Sequence, residues 1–204
     1  MNYFITGIGT GVGKTVVSAI ITEALHADYW KPIQAGDLEC SDTYKVKNLV
    51  TNSRSIFHPE AFRLRNAMSP HAAAALEGIK IIPVEIETPE TKNNLVIEGA
   101  GGVMAPLNNS QTMLDLMLHL KAEIVLVSSN YLGSINHTLL TWQILKTANL
   151  RIKGIIFNGE ENQESEKFIL QYTSLPLLLR INQEEPLTKD VILRYAELIK
   201  ATLK

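Results

Sequence analysis

The run Gly7-Ile8-Gly9-Thr10-Gly11-Val12-Gly13-Lys14-Thr15 holds the side chains best placed to do chemistry. It lies between the apolar segment Asn2-Tyr3-Phe4-Ile5-Thr6 and a helix-like stretch, Val16 to Ala27. Strand, glycine loop, Gly-Lys-Thr and helix in this order describe a phosphate-binding loop. Glycines let successive N–H groups turn toward one point, and the start of the helix adds partial positive charge there. Lys14 is placed for the outer phosphates and the Thr15 hydroxyl for Mg²⁺, so the chain is expected to handle a nucleoside triphosphate. The spacing is one residue long: Ile8 stands where the first glycine usually falls, and Gly7 lies one place further back.

Other candidates follow apolar runs. Lys31-Pro32-Ile33-Gln34-Ala35-Gly36 offers a cation to a transferring phosphoryl group or an anionic substrate, with an ordinary surface lysine as the alternative. Asp42 is either a metal carboxylate or the N-cap of a helix beginning near Thr43. Glu98 ends the apolar run Leu95-Val96-Ile97 and opens Glu98-Gly99-Ala100-Gly101-Gly102. An acid at that place beside a phosphate loop suits Mg²⁺, and an unpartnered buried glutamate would be costly. Gly133-Ser134-Ile135-Asn136-His137 begins a helix whose N–H groups suit a substrate carboxylate, unless Ser134 or Asn136 is an ordinary cap. Asn158, before Gly159, suits a base edge or a plain turn.

The elements that must hold these groups read as strand–helix alternation. Buried parallel strands are expected at Tyr3–Thr6, Leu95–Ile97, Ile124–Val127 and Ile155–Phe157, with shorter ones at Tyr29–Lys31 and Leu177–Leu179. Helices are expected at Val16–Ala27, Met113–Lys121, Ile135–Ala148, Glu164–Tyr172 and Thr188–Leu203. The third would set Leu139, Leu140, Ile144 and Leu145 on one side. Thr88–Asn94 reads as a surface connection, and Glu160–Glu166 as a loop and solvated helix start. The pattern predicts an α/β fold with a doubly wound, mostly parallel sheet, formed by residues 1–204 as a single domain. Ligands of such sheets gather outside the carboxyl ends of the strands, where the candidates above fall.

Composition narrows the function. The chain has 204 residues, 46% hydrophobic and 20% charged, with a formal net charge of −2, so nucleic-acid binding has no electrostatic support. The single cysteine, Cys40, excludes an intramolecular disulfide and fits a reducing compartment. No leader pattern or membrane-length apolar run is found, which makes the cytoplasm the expected location and a membrane an unexpected partner. His26, His58, His71, His119 and His137 lack metal-ligand spacing, so no protein-only zinc site is expected.

Together, Gly7–Thr15, Lys31-Pro32-Ile33-Gln34, Ser41-Asp42, Ser69-Pro70-His71, Glu98–Gly102 with Pro106-Leu107, and Leu132–His137 resemble the dethiobiotin synthetase family of P-loop ligases. The motifs follow the family's order over roughly residues 2–185, and its phosphate loop has the same long glycine spacing. The resemblance implies an ATP- and Mg²⁺-dependent cyclo-ligase of biotin synthesis, with 7,8-diaminononanoate and CO₂ as substrates. It makes Lys14, Lys31 and Thr10 catalytic. ATP would be held by Gly11, Val12, Gly13, Lys14, Thr15, Val16, Glu98 and Asn158. Lys31, Gly101, Gly133, Ser134 and Asn136 would bind substrate, and Thr15, Asp42 and Glu98 would hold Mg²⁺. The diamine's carboxylate would reach the Gly133–Asn136 helix end of a neighbouring subunit, so a homodimer is expected.

The chain departs from that pattern at Gly9, where members usually carry an acid, and at Ala35, where many carry Ser or Thr. The missing hydroxyl at position 35 removes one hydrogen bond, worth about 1 kcal/mol. The segment between Gly78 and Leu95 is short for the helix the family has there, and the resemblance fades beyond Arg180. An alternative is a partition or septum-positioning ATPase of similar fold, but its signature lysine would fall at Gly9. Another relative in fold, the amidation domain of cobalamin-type ligases, carries a glutaminase cysteine in a setting that Cys40 does not share.

Overall fold

A computed structural model of the chain describes residues 1–203. Its elements are β1 (Asn2–Gly7), α1 (Lys14–Leu25), β2 (Asp28–Trp30), β3 (Ile33–Ala35), α2 (Asp42–Leu49), β4 (Phe57–His58), β5 (Phe62–Leu64) and α3 (Pro70–Leu76). They continue with β6 (Leu95–Gly102), α4 (Met113–Leu120), β7 (Glu123–Ser128), α5 (Ser134–Thr147), β8 (Ile152–Asn158), α6 (Gln163–Thr173), β9 (Leu177–Ile181) and α7 (Lys189–Leu203). Seven strands form one sheet in the order β4-β2-β6-β1-β7-β8-β9. Every pairing in it is parallel. β3 and β5 make a second, two-stranded parallel sheet.

Helices cover both faces of the large sheet, and this explains the uniformly apolar strands. Side chains alternate along each strand. Tyr3 and Ile5 of β1 enter the core shared with Val17, Ile20 and Ile21 of α1, Val46 of α2 and Ile192 and Ile199 of α7. Phe4 enters the opposite core, with Leu116 and Met117 of α4, Leu145 of α5 and Ile169 of α6. At the carboxyl edge β1 ends in Gly7, β2 runs out at Lys31, β6 carries Glu98 and β8 ends in Asn158. Among the described residues, no helix is long and apolar enough to cross a membrane.

Several boundaries differ from those expected. α1 starts at Lys14, directly on the phosphate loop, and stops at Leu25, because His26 adopts φ 48° and its N–H closes on the Glu23 and Thr22 carbonyls. β6 runs on through Gly102, so Glu98–Gly102 is strand rather than loop. Strand β2 spans Asp28–Trp30, leaving Lys31 just past its end. The helix near Thr43 begins at Asp42, and its cap is Ser41, whose side chain accepts from the Tyr44 N–H at 3.3 Å. Asp42 is therefore not the cap. α5 buries Ser134, Thr138, Thr141, Trp142 and Leu145, whereas Leu140 is 55% exposed and lies off that face. β3, β4, β5 and α3 are too short for periodicity to reveal. The 78–94 segment holds only a 3₁₀ turn at Pro83–Glu85, and its polar end is tied down by Asp28, which accepts from Thr91 (2.6 Å) and Asn93 (2.9 Å).

Candidate active site

The phosphate loop bends from β1 into α1 through residues that require glycine. Gly13 has φ 96°, and a Cβ there would sit 2.2 Å from Asn158 Nδ2. That close approach lets the Asn158 amide donate to the Val12 carbonyl at 3.1 Å, so β8 braces the loop from the far side of β1. Lys14 is buried and donates from Nζ to the Gly9 carbonyl at 2.7 Å, holding the loop in a closed curve. Burial pulls its ammonium down to about 8 against the opposing pull of Glu98, and Lys31 adds to the fall.

Glu98 is the hub of the site and is 1% exposed. Its Oε1 accepts from Thr15 Oγ1 at 2.9 Å and from Lys31 Nζ at 3.0 Å, and its Oε2 accepts from the Tyr29 hydroxyl at 2.9 Å. Lys31 also pairs with Asp42 Oδ2, while Lys45 Nζ lies 3.5 Å from the other Asp42 oxygen. The Gln34 side chain accepts from the Asp42 N–H at 3.2 Å and donates to the Gly36 carbonyl, which fixes the start of α2. Burial works to lower the Lys31 pKa, but Glu98 and Asp42 outweigh it and hold the ammonium above its ordinary value. Burial likewise works to raise Asp42, and Lys31 beside it drives the carboxyl below its usual range. Four of the expected residues (Lys14, Thr15, Asp42 and Glu98) thus gather around Lys31, which is buried and ion-paired rather than a surface lysine.

Thr15 offers a hydroxyl, and Asp42 and Glu98 offer carboxylates; all are hard oxygen donors joined through Lys31. Among the described residues, no group of three or more His, Cys, Asp or Glu gathers at one point, so the chain alone does not form a closed cage. Two carboxylates and a hydroxyl beside a phosphate loop fit Mg²⁺, which keeps waters and takes phosphate oxygens as further ligands.

Beside this cluster opens a cleft of about 550 Å³, lined among others by Thr10, Lys31, Ala35, Asp42, Gly101 and Ser69. Gly101 and Gly102 face it, but Gly99 does not open a path for ligand: a Cβ there would meet the Phe4 ring at 2.8 Å. Gly99 is a packing glycine between β6 and β1. The β8 side has a smaller groove of about 220 Å³, where Asn158 and Val16 meet Ile181, Asn182, Glu184 and Leu187. Residues beyond Arg180 therefore line the groove nearest Asn158, although their sequence gave no sign of it.

Gly133, Ser134 and Asn136 lie elsewhere. They line an open groove of about 820 Å³ with Tyr131 and Glu160, and none of them lines the cleft at Lys31. Gly133 caps α5 with φ 99°. Ser134 is 2% exposed and its N–H already donates to the Tyr131 carbonyl, so the accessible part of the turn is Gly133 and Asn136. Tyr29 is the site residue that the sequence hid: it reads as one more apolar strand position, and no local signal marks its hydroxyl.

Comparison with known proteins gives the family and the fold. The family model described as AAA domain matches residues 1–191. In solved structures the fold recurs in the septum site-determining protein MinD of Pyrococcus horikoshii, complexed with Mg-ADP, at TM-score 0.63 and 17% identity, covering 99% of this chain and 95% of that one. It recurs also in a putative plasmid partition protein of Borrelia burgdorferi bound to AMPPNP, at TM-score 0.60 and 16% identity over 99% and 97%. At those identities the likeness is one of fold alone. Sequence relatives are far nearer. The chain is 54% identical to the ATP-dependent dethiobiotin synthetase BioD of Cytophaga hutchinsonii, covering 95% of this chain and 94% of that protein. It is 52% identical to that of Christiangramia forsetii over 99% and 97%. With Gly9 where a partition ATPase would carry its signature lysine, and with identity above one half along nearly the whole length, the chain belongs to the ATP-dependent dethiobiotin synthetase family.

Proposed function

We propose that this protein closes the ureido ring of dethiobiotin from 7,8-diaminononanoate, CO₂ and ATP, releasing ADP and phosphate. The observation that carries the reading is the buried Lys31 ammonium, which lines the cleft between Asp42 and Glu98 and shares the Glu98 Oε1 with Thr15 of the phosphate loop. CO₂ adds to one amine to give a carbamate. A carbamate oxygen takes the γ-phosphoryl group, and the second amine attacks the carbamate carbon, closing the ring and expelling phosphate. Two anions must meet for the phosphoryl transfer, so the site has to supply cations at fixed positions.

Lys14 is assigned to the outer phosphates, with the N–H groups of Gly11 to Thr15 and with Val16 at the groove where Asn158 lies. Lys31 is assigned to the carbamate and the transferring phosphoryl group, with Thr10 and Gly101 lining the cleft. Mg²⁺, held by Thr15, Asp42 and Glu98 directly or through water, would supply charge neutralisation between the phosphates. The diamine's carboxylate is assigned to Gly133 and Asn136, the accessible part of the α5 turn, in a second subunit, because that groove lines no part of the Lys31 cleft of its own chain, and buried Ser134 is left as structural support for the turn. The reading therefore includes a homodimer, working in the cytoplasm.

The test is coupled turnover. Purified protein with ATP and Mg²⁺ should release ADP only when diaminononanoate and bicarbonate are both present, and the product should be dethiobiotin. Equal ATP hydrolysis without the diamine would overturn the assignment.

A further inference from the structure

We infer that the Tyr29 hydroxyl is a positioning group for Glu98, fixing which carboxylate oxygen faces the phosphate loop and its cation; this rests on the role of Glu98 proposed above. Tyr29 is fully buried, in the core shared with α1, α2 and α7, with its ring 6.2 Å from that of Phe57. A phenyl ring would fill the same space. Only the hydroxyl needs a polar partner, and the Glu98 Oε2 at 2.9 Å is the partner it has.

Strand geometry explains how one segment serves both oxygens. Side chains two apart leave a strand on the same face. Trp30 enters the core on the other face of the sheet, while Tyr29 and Lys31 flank it and both reach Glu98. Tyr29 takes Oε2 and Lys31 takes Oε1, the oxygen that also accepts from Thr15. A planar carboxylate with one oxygen anchored in the core has little freedom to turn the other away. Glu98 is 1% exposed, so water does not replace a lost donor. The arrangement is that of an outer hydrogen bond orienting a metal ligand.

The test compares wild type, Tyr29→Phe, Glu98→Gln and the double variant by calorimetric titration with ADP alone and with ADP plus Mg²⁺. Metal-free ADP should bind wild type and Tyr29→Phe alike, which also reports that loop and core are intact, and the Mg²⁺ effect in each variant is read against its own metal-free affinity. Tyr29→Phe should raise the Mg²⁺ needed to tighten ADP binding by about tenfold, the usual effect of deleting a hydrogen bond to a metal ligand. Glu98→Gln should do at least as much, and the double variant should be no worse than Glu98→Gln alone, because both changes act through one group. Wild-type Mg²⁺ dependence in Tyr29→Phe beside a weakened Glu98→Gln would overturn this inference alone. Additive losses in the double variant would also overturn it, showing that Tyr29 acts through the fold. An unaffected Glu98→Gln would overturn the metal role of Glu98 and this inference with it. A crystal structure of Tyr29→Phe adds a direct reading: Glu98 turned from its wild-type orientation supports the inference, and an unchanged side chain opposes it.

Discussion

Lys31 neutralises Asp42 and Glu98 in the structure described here, and the proposed chemistry requires the same ammonium at the carbamate. Its removal therefore has two consequences. Lys31→Ala should lower kcat/KM for the diamine by about a hundredfold or more, the scale of losing a charge that stabilises the transition state. It should also lower ligand-free stability by about 3 kcal/mol, because the buried Glu98 carboxylate loses its ion-pair partner and the partly exposed Asp42 keeps the more distant Lys45. Nucleotide should still bind, since Lys14 and the loop are untouched. Denaturant titration and ADP calorimetry check the two halves separately, and retained turnover would refute the assignment. Gly13 is a second decisive residue. Gly13→Ala places a Cβ against Asn158 at a positive φ, so nucleotide affinity should fall by at least about tenfold, as expected where strain of roughly 1–3 kcal/mol is imposed. Unchanged ADP affinity would show that the loop adjusts freely.

At the scale of elements, the short strand β2 does an unusual amount of positioning. Its middle residue Tyr29, and Lys31 just past its end, reach the site, while its first residue, Asp28, is a fully buried carboxylate that anchors two segments, 56–58 and 91–93. Asp28 accepts from the Ile56 N–H at 2.9 Å, from Thr91 and Asn93, and lies 3.3 Å from His58 Nε2. Burial alone would raise its pKa, but the hydrogen bonds from Asn93 and Thr91 outweigh it and the value is lowered. The sign follows: a carboxylate with a depressed folded pKa stabilises the protein above the unfolded value of about 3.9 and loses that contribution as pH falls through the folded value. Asp28→Asn should thus be less stable than wild type near pH 7, by about 1–3 kcal/mol for the hydrogen bonds lost or weakened. The gap should narrow as pH drops below about 4. Urea titrations across pH check this, and a gap independent of pH would refute it. The cap of α2 is a milder case. Ser41→Ala should cost about 1 kcal/mol by denaturant titration and should raise the Mg²⁺ needed for turnover more than it affects metal-free ADP binding, because it loosens the turn that carries Asp42.

At the scale of the molecule, the groove at Gly133 and the cleft at Lys31 are separate surfaces of one chain. In the proposed homodimer a second copy would reconcile them, with the α5 turn of one subunit closing the cleft of the other. Leu132 is fully exposed beside that turn, with Tyr131 45% and Leu140 55% exposed nearby, an apolar margin that association would cover. The protein should sediment as a dimer. Leu132→Glu should weaken association and raise the KM for the diamine by roughly tenfold, the scale of losing one apolar interface anchor, with metal-free ADP binding unchanged. A monomer with full activity at high dilution would refute the shared site.

Much of this was legible before folding was considered. Periodicity located the major strands and helices because a sheet covered on both faces imposes unbroken apolar runs, and glycine spacing with Lys14 and Thr15 marked the phosphate loop because few other sequences suit an anion there. The motif order around Lys31, Asp42, Glu98 and Gly133 also carried the family. What the linear chain left open were questions of contact across long separations. Whether Lys31 is surface or site, whether Asp42 caps a helix or faces the cleft, and what Gly99 is for depend on neighbours up to 95 positions away. Tyr29 was hidden for the same reason: a tyrosine in an apolar run declares its ring, but the partner of its hydroxyl lies 69 residues on and meets it only when β2 and β6 pair. The sequence determined which groups this protein possesses and the order in which the chain presents them. The tertiary structure decided which of them share one charge, because ion pairing falls off within a few ångströms and only the folded sheet brings those atoms so close.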